Sequence, residues 1–205
     1  MHTDKPFSQA CENNKQAILE QLLVVLGNTK SVLEIGSGSG QHAVHFAAGL
    51  AHLVWHTSDQ QRYHDGINQW IREYHLDNLR APIKFKIGEH NWPVLNIDAV
   101  FTANTAHIMQ KTEVRQLMKL VGAHLPIDGI FCQYGPFTEN GEFNSQSNLD
   151  FHQTLVDQGY GGYRDLNELK AWAEPLTLIE KINMPANNCL LVWCKTKPWW
   201  HLIIC

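Results

Sequence analysis

The chain has 205 residues, enough to bury the core of one domain of ordinary size. Hydrophobic residues make up 44% and charged residues 18%, a balance typical of a folded globular protein that argues against disorder. The formal net charge is -4, and the 16 basic residues face 20 acidic ones without forming a run, which argues against binding to an extended nucleic acid.

The N-terminal residues and the cysteines bear on where in the cell the protein is located. The N-terminal residues are polar and lack the apolar segment of a secretory signal, and no stretch is long enough to span a bilayer. The five cysteines are odd in number and form no CxxC pair, so we expect free thiols and a cytoplasmic location. His42 and His45 can share a helix face, but no third ligand is evident, so we predict no metal site.

Apolar runs typical of strands alternate with stretches of helical periodicity along the chain. Predicted helices cover 12–27, a segment from Gly40, 62–76, 112–124, 148–158 and 165–173. Predicted strands cover 31–36, 53–58, 83–87, 97–103, 129–135, 176–182 and 189–195. Such alternation implies parallel strands joined by right-handed crossovers. We therefore predict a Rossmann-like α/β fold, with helices on both faces of a seven-stranded, mostly parallel sheet.

The last two predicted strands have no helix between them and therefore predict an antiparallel hairpin at one edge of the sheet. That ending distinguishes the methyltransferase version of this sheet from the dinucleotide-binding version. We predict a single domain over residues 1–205, with a core of about 12–195 and a tail over 196–205 that has no assigned role.

A glycine-rich loop follows the first predicted strand, in the sequence VLEIGSGSG (32–40). Gly36 and Gly38 let the backbone turn tightly and approach a ligand, and Gly40 leads into a helix whose N-terminal amides favour an electronegative group. Glu34 can accept a hydrogen bond from an amine. The candidate ligand-binding residues of this segment are Glu34, Gly36, Ser37, Gly38 and Gly40.

Asp59 ends the second predicted strand, at about the distance from the glycines at which an acid holds the ribose hydroxyls in a Rossmann-like crevice. The alternative is a structural glycine turn, with Asp59 as the N-cap of the next helix. A dinucleotide fingerprint needs a small residue at position 41, where this chain has Gln41. The pattern GxGxG after a strand that carries an acid suits S-adenosylmethionine better, since that ligand has no phosphate.

Polar residues follow the fourth and fifth predicted strands. Asn104, Thr105 and His107 come after the fourth strand, and Tyr134 ends the fifth. The carboxyl ends of parallel strands line the ligand crevice, so we expect Asn104, Thr105 and His107 to face the cofactor. His107 is the first candidate for a general base, because its ordinary pKa lies near neutrality, and Tyr134 is the second. The alternative for His107 is a structural, hydrogen-bonded histidine.

Several segments together resemble one class I methyltransferase family, the one that includes methyltransferase-like protein twenty-six. They are VLEIGSGSGQHAVHFA, HTSD, DAVFTANTAHIM, QYGPF, SNLDFHQTL and YRDL, and the resemblance runs from about Lys5 to Lys195. It implies a Rossmann-like fold and dependence on S-adenosylmethionine, and leaves the methyl acceptor open. It also implies an opening helix that folds over the cofactor.

Two positions depart from the family pattern. Asn13 stands where the family usually has arginine. The segment KIGEHNWP (86–93) lacks the Asp-Val expected after the third strand. Glu89 or Asn91 is then the candidate for contact with the adenine amine.

The acceptor is predicted to bind around residues 134–165, with Asn148 and Arg164 as candidate contacts and Arg164 suited to an anionic acceptor. The alternative there is a solvated surface with an N-cap at Asp165. We predict a methyltransferase that uses S-adenosylmethionine and a small-molecule acceptor, without extended nucleic acid or a membrane as partner. Two alternatives remain: a nicotinamide-dependent oxidoreductase, and a non-catalytic adaptor that binds the cofactor. The sequence does not indicate an oligomeric state.

Overall fold

The computed structural model describes residues 5–197, so residues 198–205 of the predicted tail lie outside the described residues. The α-helices are α1 (Gln9–Val25), α2 (Gln41–Gly49), α3 (His64–Tyr74), α4 (Lys111–His124), α5 (Gln146–Asp157) and α6 (Leu166–Trp172). The strands are β1 (Ser31–Ile35), β2 (Val54–Asp59), β3 (Leu79–Lys84), β4 (Ala99–Ala103), β5 (Ile130–Gly135), β6 (Phe137–Thr138), β7 (Arg164–Asp165), β8 (Leu176–Met184) and β9 (Asn188–Lys195).

The seven longer strands form one sheet in the order β3-β2-β1-β4-β5-β9-β8. β1 pairs in parallel with β2 and with β4, so that Val32 lies opposite both Trp55 and Ala99. β9 is antiparallel to β5 and to β8. The predicted Rossmann-like sheet and its terminal antiparallel hairpin are therefore confirmed. The strand order reverses direction between β1 and β4, the position at which ligands bind in open α/β sheets.

The chain divides into two compact units, one ending at Thr102 and the other beginning at Ala103. The first holds α1, α2 and α3 with β1, β2, β3 and most of β4. The second holds α4, α5 and α6 with the remaining strands. The prediction of a single domain stays a prediction.

Aromatic rings fill the core of the first unit. Phe46 on α2 lies 5.5 Å from the ring of Trp55 on β2 and 5.3 Å from that of Phe101 on β4, measured between ring centroids. All three side chains are fully buried. Such large rings contribute much of the apolar burial that stabilises a small domain. They join α2 to β2 and β4, the elements on either side of β1.

The third strand lies earlier in the chain than its alternating pattern predicted. β3 pairs with β2 from Leu79, opposite Trp55, to Lys84, opposite Asp59. The pairing stops at Lys84 because β2 itself ends at Asp59, which leaves residues 85–87 without a partner strand. Only the amide of Phe85 still reaches β2, donating to the carbonyl of Asp59 at 3.0 Å.

In the second unit, the helix predicted over 112–124 is confirmed as α4. Its buried side chains include Val114, Leu117, Met118 and Val121. A short parallel pair, β6 with β7, was not predicted from the sequence, since strands of two residues carry no periodicity to read.

Candidate functional site

The glycine loop of the first unit joins β1 to α2 and is open at its centre. Gly36, Gly38 and Gly40 all have positive φ, of 79°, 57° and 91°. The amides of Gly36 and Ser37 both donate to the carbonyl of Ser58 at 3.0 Å, which holds the loop against β2. No heavy atom lies within 4 Å of the position that a Cβ on Gly38 would take. A ligand can therefore approach the backbone closely at Gly38.

Asp59 directs its carboxylate at this loop. Oδ2 accepts from the amide of Gly38 at 2.8 Å, and Oδ1 accepts from the amide of Gln60 at 2.7 Å. Each oxygen keeps further lone-pair capacity for a hydroxyl donor. Burial raises the pKa of Asp59, and the two amide bonds act in the opposite direction. The alternative of a helix N-cap is wrong, because the turn at Gln61–Tyr63 is capped by Gln60 and α3 by Tyr63.

Glu34 lies under the loop as a nearly fully buried carboxyl group. Its Oε2 accepts from the hydroxyl of Ser37 at 2.8 Å and from the indole nitrogen of Trp55 at 3.1 Å. Burial raises the pKa of Glu34 to about 7, although both hydrogen bonds oppose the shift. Glu34 is thus balanced between its neutral and charged forms near neutral pH. A cationic group placed beside it would favour the charged form.

The chain before α1, which we call the N-terminal strap (residues 5–8), is fastened to α3 and to the glycine loop. The carbonyl of Pro6 accepts from the indole nitrogen of Trp70 at 2.8 Å. The ammonium of Lys5 lies 3.6 Å from the centre of the same indole ring. The amide of Ser8 donates to Oε1 of Gln41 at 2.5 Å. The N-terminal segment therefore packs against the loop and the first turn of α2.

Replacing Trp70 with phenylalanine removes the donor to the carbonyl of Pro6 and keeps the ring. We expect the free energy of unfolding to fall by about 1 kcal/mol, the net contribution of one hydrogen bond of this kind. Urea denaturation followed by far-ultraviolet circular dichroism measures it. The matched control is Tyr74→Phe on the same helix, where the side chain is 44% exposed. Equal stability of the two variants would contradict a stabilising strap contact.

Gln41, which replaces the small residue of the dinucleotide fingerprint, has a structural role in this fold. Its side chain is nearly fully buried and donates to Oε2 of Glu12 at 3.4 Å, while its Oε1 also accepts from the hydroxyl of Ser39 at 3.0 Å. A small residue at this position cannot make these bonds to α1 and to the loop. Sequence reasoning treated Gln41 only as a departure from another motif and missed this role.

Glu89 and Asn91 lie in the segment between β3 and β4, and both are exposed. Glu89 forms an ion pair with Lys86. Their predicted contact with an adenine amine stays a prediction.

In the second unit, a turn after β4 carries Asn104, Thr105 and His107. Asn104 takes a left-handed conformation, with φ of 57°, and its amide donates to the carbonyl of Tyr134 at 2.9 Å. The carbonyl of Thr105 accepts from the amides of two later residues, which closes the turn. Nδ1 of His107 and Oδ1 of Asn104 lie 3.9 Å and 4.0 Å from the position of a Cβ on Gly135. Both polar atoms therefore lie near the end of β5.

His107 is held as a neutral imidazole. Its side chain is 6% exposed, and burial lowers its pKa to about 4. The ring nitrogens show no hydrogen bond to another residue within 5–197. A neutral imidazole without such a bond can accept a hydrogen bond or a proton. The structural alternative predicted a hydrogen-bonded histidine instead. Tyr134, the second candidate base, is buried within β5, and its catalytic role stays a prediction.

Asn148 and Arg164, the candidate contacts for the acceptor, are both buried. The alternative prediction placed them on a solvated surface. Nδ2 of Asn148 donates to Oδ1 of Asn144 at 2.6 Å and to the carbonyl of Asn187 at 3.2 Å. The guanidinium of Arg164 donates to the carbonyl of Gly162 at 3.0 Å and also contacts that of Gly161. These bonds order loops, and the predicted roles of both residues in binding an acceptor stay predictions.

Asp165 confirms the N-cap predicted for it. Its Oδ1 accepts from the amide of Asn167 at 2.8 Å, and Oδ2 accepts from Thr138 and Gly141. Replacing Asp165 with alanine is expected to lower the free energy of unfolding by about 1 kcal/mol. Replacement with serine should cost less, because serine also caps helices while losing the Oδ2 contacts as alanine does. Thermal and urea denaturation of the two variants measure the difference, and an equal loss in both would contradict the cap.

The residues that sequence reasoning missed are mainly aromatic. Trp55 bonds to Glu34, and its signal was present, since Trp55, Thr57 and Asp59 share one face of β2 by strand alternation. Phe151 and Tyr163 lie 5.9 Å and 6.2 Å from the ring of His107. No local pattern connects three residues so far apart in the chain.

The sheet order, the glycine loop after β1, the acid that ends β2 and the terminal hairpin together define the Rossmann-like fold of class I methyltransferases. The structure is similar to an O-methyltransferase family protein from Burkholderia thailandensis, with 13% identity and a TM-score of 0.78 over 89% of this chain and 56% of that protein. For an O-methyltransferase family 2 protein from Planctomyces limnophilus, the identity is 14% and the TM-score 0.81, over 91% of this chain and 58% of that one.

Human N-acetylserotonin methyltransferase is similar as well, with 12% identity and a TM-score of 0.72 over 89% of this chain and 55% of that protein. The chain thus spans a little over half the length of the solved proteins it matches. It belongs to the family described as protein of unknown function (DUF938), whose model matches residues 5–195.

Across residues 5–197, no helix combines the length and the apolar character needed to cross a membrane. The same residues hold no group of three or more histidines, cysteines, aspartates or glutamates placed to bind a metal ion.

Proposed function

We propose that the protein is a methyltransferase that uses S-adenosylmethionine and a small-molecule acceptor. The observation that carries the proposal is the open backbone at Gly38 with the carboxylate of Asp59 beside it. The amide of Gly38 already orients one carboxylate oxygen, so a ribose that enters there meets an acceptor held in position. Such preorganised acceptors are what a diol requires, because unpaired buried hydroxyls cost free energy.

Glu34 would hold the amino group of the cofactor. It is buried beneath the same loop and is held by Ser37 and Trp55. A carboxyl group balanced near neutral pH becomes fully charged beside an ammonium group. The helix N-terminus at Gln41 adds a positive field above the loop. The first unit thus offers matching groups for the ribose and for the amino acid of the cofactor.

When bound, S-adenosylmethionine supplies a methyl group that the acceptor atom takes as the carbon–sulfur bond breaks, leaving a neutral thioether. The residues of the chain need then only bind, orient and remove a proton. His107 would accept a hydrogen bond from the acceptor and take its proton as the new bond to the methyl group makes that proton acidic, and its neutral imidazole leaves a ring nitrogen available for this. The similar human protein is described in complex with S-adenosylmethionine and the similar Planctomyces limnophilus protein in complex with apigenin, which agrees with this assignment.

An oxidoreductase that binds a nicotinamide dinucleotide is less consistent with the site. Its pyrophosphate would need the backbone at the start of α2, where the side chain of Gln41 is committed to Ser8 and Glu12. A non-catalytic adaptor would bind the cofactor and transfer nothing. The neutral His107 and Asn104, both beside Gly135, favour catalysis, because binding the cofactor does not require them.

Isothermal titration calorimetry of the purified protein with S-adenosylmethionine, S-adenosylhomocysteine and NAD tests the proposal. We expect micromolar binding of the two adenosyl compounds and no binding of NAD. Binding of NAD alone would overturn the proposal. Turnover is then measured as formation of S-adenosylhomocysteine from S-adenosylmethionine with a panel of small hydroxylated and amino acceptors. If the adenosyl compounds bind and no S-adenosylhomocysteine forms, the result favours the adaptor.

A further inference from the structure

We propose that the acceptor is a small, uncharged, planar aromatic molecule with a hydroxyl group, bound at an aromatic cluster in the second unit. This inference rests on the proposed function and names its substrate class. The cluster, called here the ring cluster, consists of His107, Phe143, Phe151, His152 and Tyr163.

The rings of the cluster surround Tyr163. Its ring centroid lies 5.7 Å from Phe143, 5.7 Å from His152, 6.2 Å from Phe151 and 6.2 Å from His107. These are the separations at which aromatic pairs stack at an offset or edge to face. Four separate segments of the chain supply the rings, so the cluster is formed only in the folded unit.

The turn that carries His107 is packed tightly against the segment before Tyr163. The amide of Gly162 donates to the carbonyl of His107 at 3.0 Å. A Cβ on Gly161 would lie 1.8 Å from the carbonyl oxygen of Met109, so only glycine allows this approach. The position of His107 relative to Tyr163 is therefore set by backbone contact and does not depend on flexible side chains.

One side of the cluster is open to solvent. Phe151 is 45% exposed, whereas His107 and Tyr163 are each 6% exposed. Ile108 and Tyr160, next in the chain to the packed segment, are 42% exposed. Exposed apolar side chains grouped beside a buried polar residue are typical of small-molecule sites. The flat faces of the exposed rings favour a planar ligand that stacks on them.

The charges near the cluster indicate an uncharged ligand. The guanidinium of Arg164 is buried and engaged by the carbonyls of Gly161 and Gly162. The carboxylate of Asp165 is engaged by three donors. Burial lowers the pKa of His107 to about 4, which keeps its ring neutral, and it also lowers the pKa of His152. An anionic acceptor would need an accessible cation here, whereas Arg164 is only 6% exposed and directs donors to these two carbonyls.

The two polar atoms near the end of β5 suit a hydroxyl group on the acceptor. Nδ1 of His107 and Oδ1 of Asn104 both lie about 4 Å from the position of a Cβ on Gly135. Neither side chain shows a hydrogen bond to any residue within 5–197. A phenolic hydroxyl can donate its proton to the imidazole, and the aromatic ring that carries it would lie against the ring cluster.

Fluorine NMR of para-fluorophenol added to the protein saturated with S-adenosylhomocysteine tests the inference. We expect para-fluorophenol to bind and para-fluoroanisole, which lacks the hydroxyl proton, to bind about fivefold more weakly. The anion para-fluorobenzoate and the cation para-fluorobenzylammonium should not bind. Equal binding of either ion, or no binding of the phenol, would overturn the inference.

Phe151→Ala should weaken binding of para-fluorophenol by about tenfold. The matched control is Ile179→Ala on β8, which truncates another exposed apolar side chain of the second unit and should leave binding unchanged. Retained binding of S-adenosylhomocysteine by both variants shows that they are folded. An unaffected Phe151→Ala variant would remove the ring cluster from the acceptor site.

The same titration without S-adenosylhomocysteine separates the two proposals. If the protein binds no adenosyl compound but still binds para-fluorophenol through Phe151, the proposed function fails and the ring cluster remains an aromatic-binding site. If it binds S-adenosylhomocysteine and no phenol, the proposed function stands and the substrate class is wrong.

Discussion

Replacing Asp59 with asparagine is expected to weaken binding of S-adenosylhomocysteine by about 100-fold or more, since the proposed function has Asp59 form two charge-assisted hydrogen bonds to the ribose, which the variant would lose. The amide is similar in shape but has one acceptor oxygen in place of two. That oxygen can accept from only one of the amides of Gly38 and Gln60, and the NH2 group of asparagine would then face the other amide, donor against donor. Isothermal titration calorimetry at neutral pH measures the loss.

The matched control is Asp98→Asn. The Asp98 carboxylate also accepts from a backbone amide, that of Lys30 at 2.8 Å, but it lies before β4 begins. Its replacement should leave cofactor affinity unchanged. If the Asp59→Asn variant is folded and binds S-adenosylhomocysteine as tightly as the unmodified protein, the ribose assignment is wrong.

Replacing Glu34 with glutamine is expected to stabilise the free protein at alkaline pH. The pKa of Glu34 rises from 4.5 to about 7 on burial, which corresponds to about 3 kcal/mol. A group whose pKa is higher in the folded state stabilises the fold fully below its unfolded pKa, and the contribution is lost as pH rises through the folded pKa. For Glu34 the loss falls between about pH 4.5 and pH 7.

Urea denaturation measures the free energy of unfolding of both proteins at about pH 5 and at about pH 8. The value for the variant, relative to that of the unmodified protein, should rise by up to about 3 kcal/mol between these two conditions. The amide oxygen of glutamine can still accept from Ser37 and Trp55, so the packing is retained. The same variant should bind S-adenosylmethionine more weakly at about pH 8, because a neutral amide pairs poorly with an ammonium group. A variant that gains no stability as pH rises would contradict the buried charge.

Under the proposed function, the raised pKa of Glu34 couples binding of the cofactor to proton release. If the cofactor's ammonium group favours the charged form of Glu34, binding near pH 7 releases protons from the protein. Calorimetry in two buffers with different ionisation enthalpies would measure this release. The same titration with Glu34→Gln should show none.

Local sequence was sufficient for most of the helices and longer strands and for the glycine loop. The strand before Gly36, the helix after Gly40 and the acid at Asp59 follow one another in a short stretch of chain. Strand alternation and backbone turns depend on near neighbours, so composition and spacing predicted them. The terminal hairpin was predictable for the same reason, because no helical segment separates its two strands.

The features that could not be predicted from the sequence depend on contacts between residues that are distant in the chain. The end of β3 is decided by where β2 stops, and the strap by the indole of Trp70, which is 64 positions from Pro6. The ring cluster draws on four segments whose proximity no periodicity encodes. The neutral state of His107 was equally inaccessible, since a pKa depends on burial.

The sequence by itself determined which segments become strands and helices and where the glycine loop turns, since these follow from backbone preferences over a few residues. Only the tertiary structure decided which polar groups are left uncommitted. Arg164 is engaged by backbone carbonyls, while His107 and Asn104 lie beside Gly135. Hydrogen-bonding partners and desolvation are set by packing, and they distinguish a residue that orders a loop from one available to a substrate.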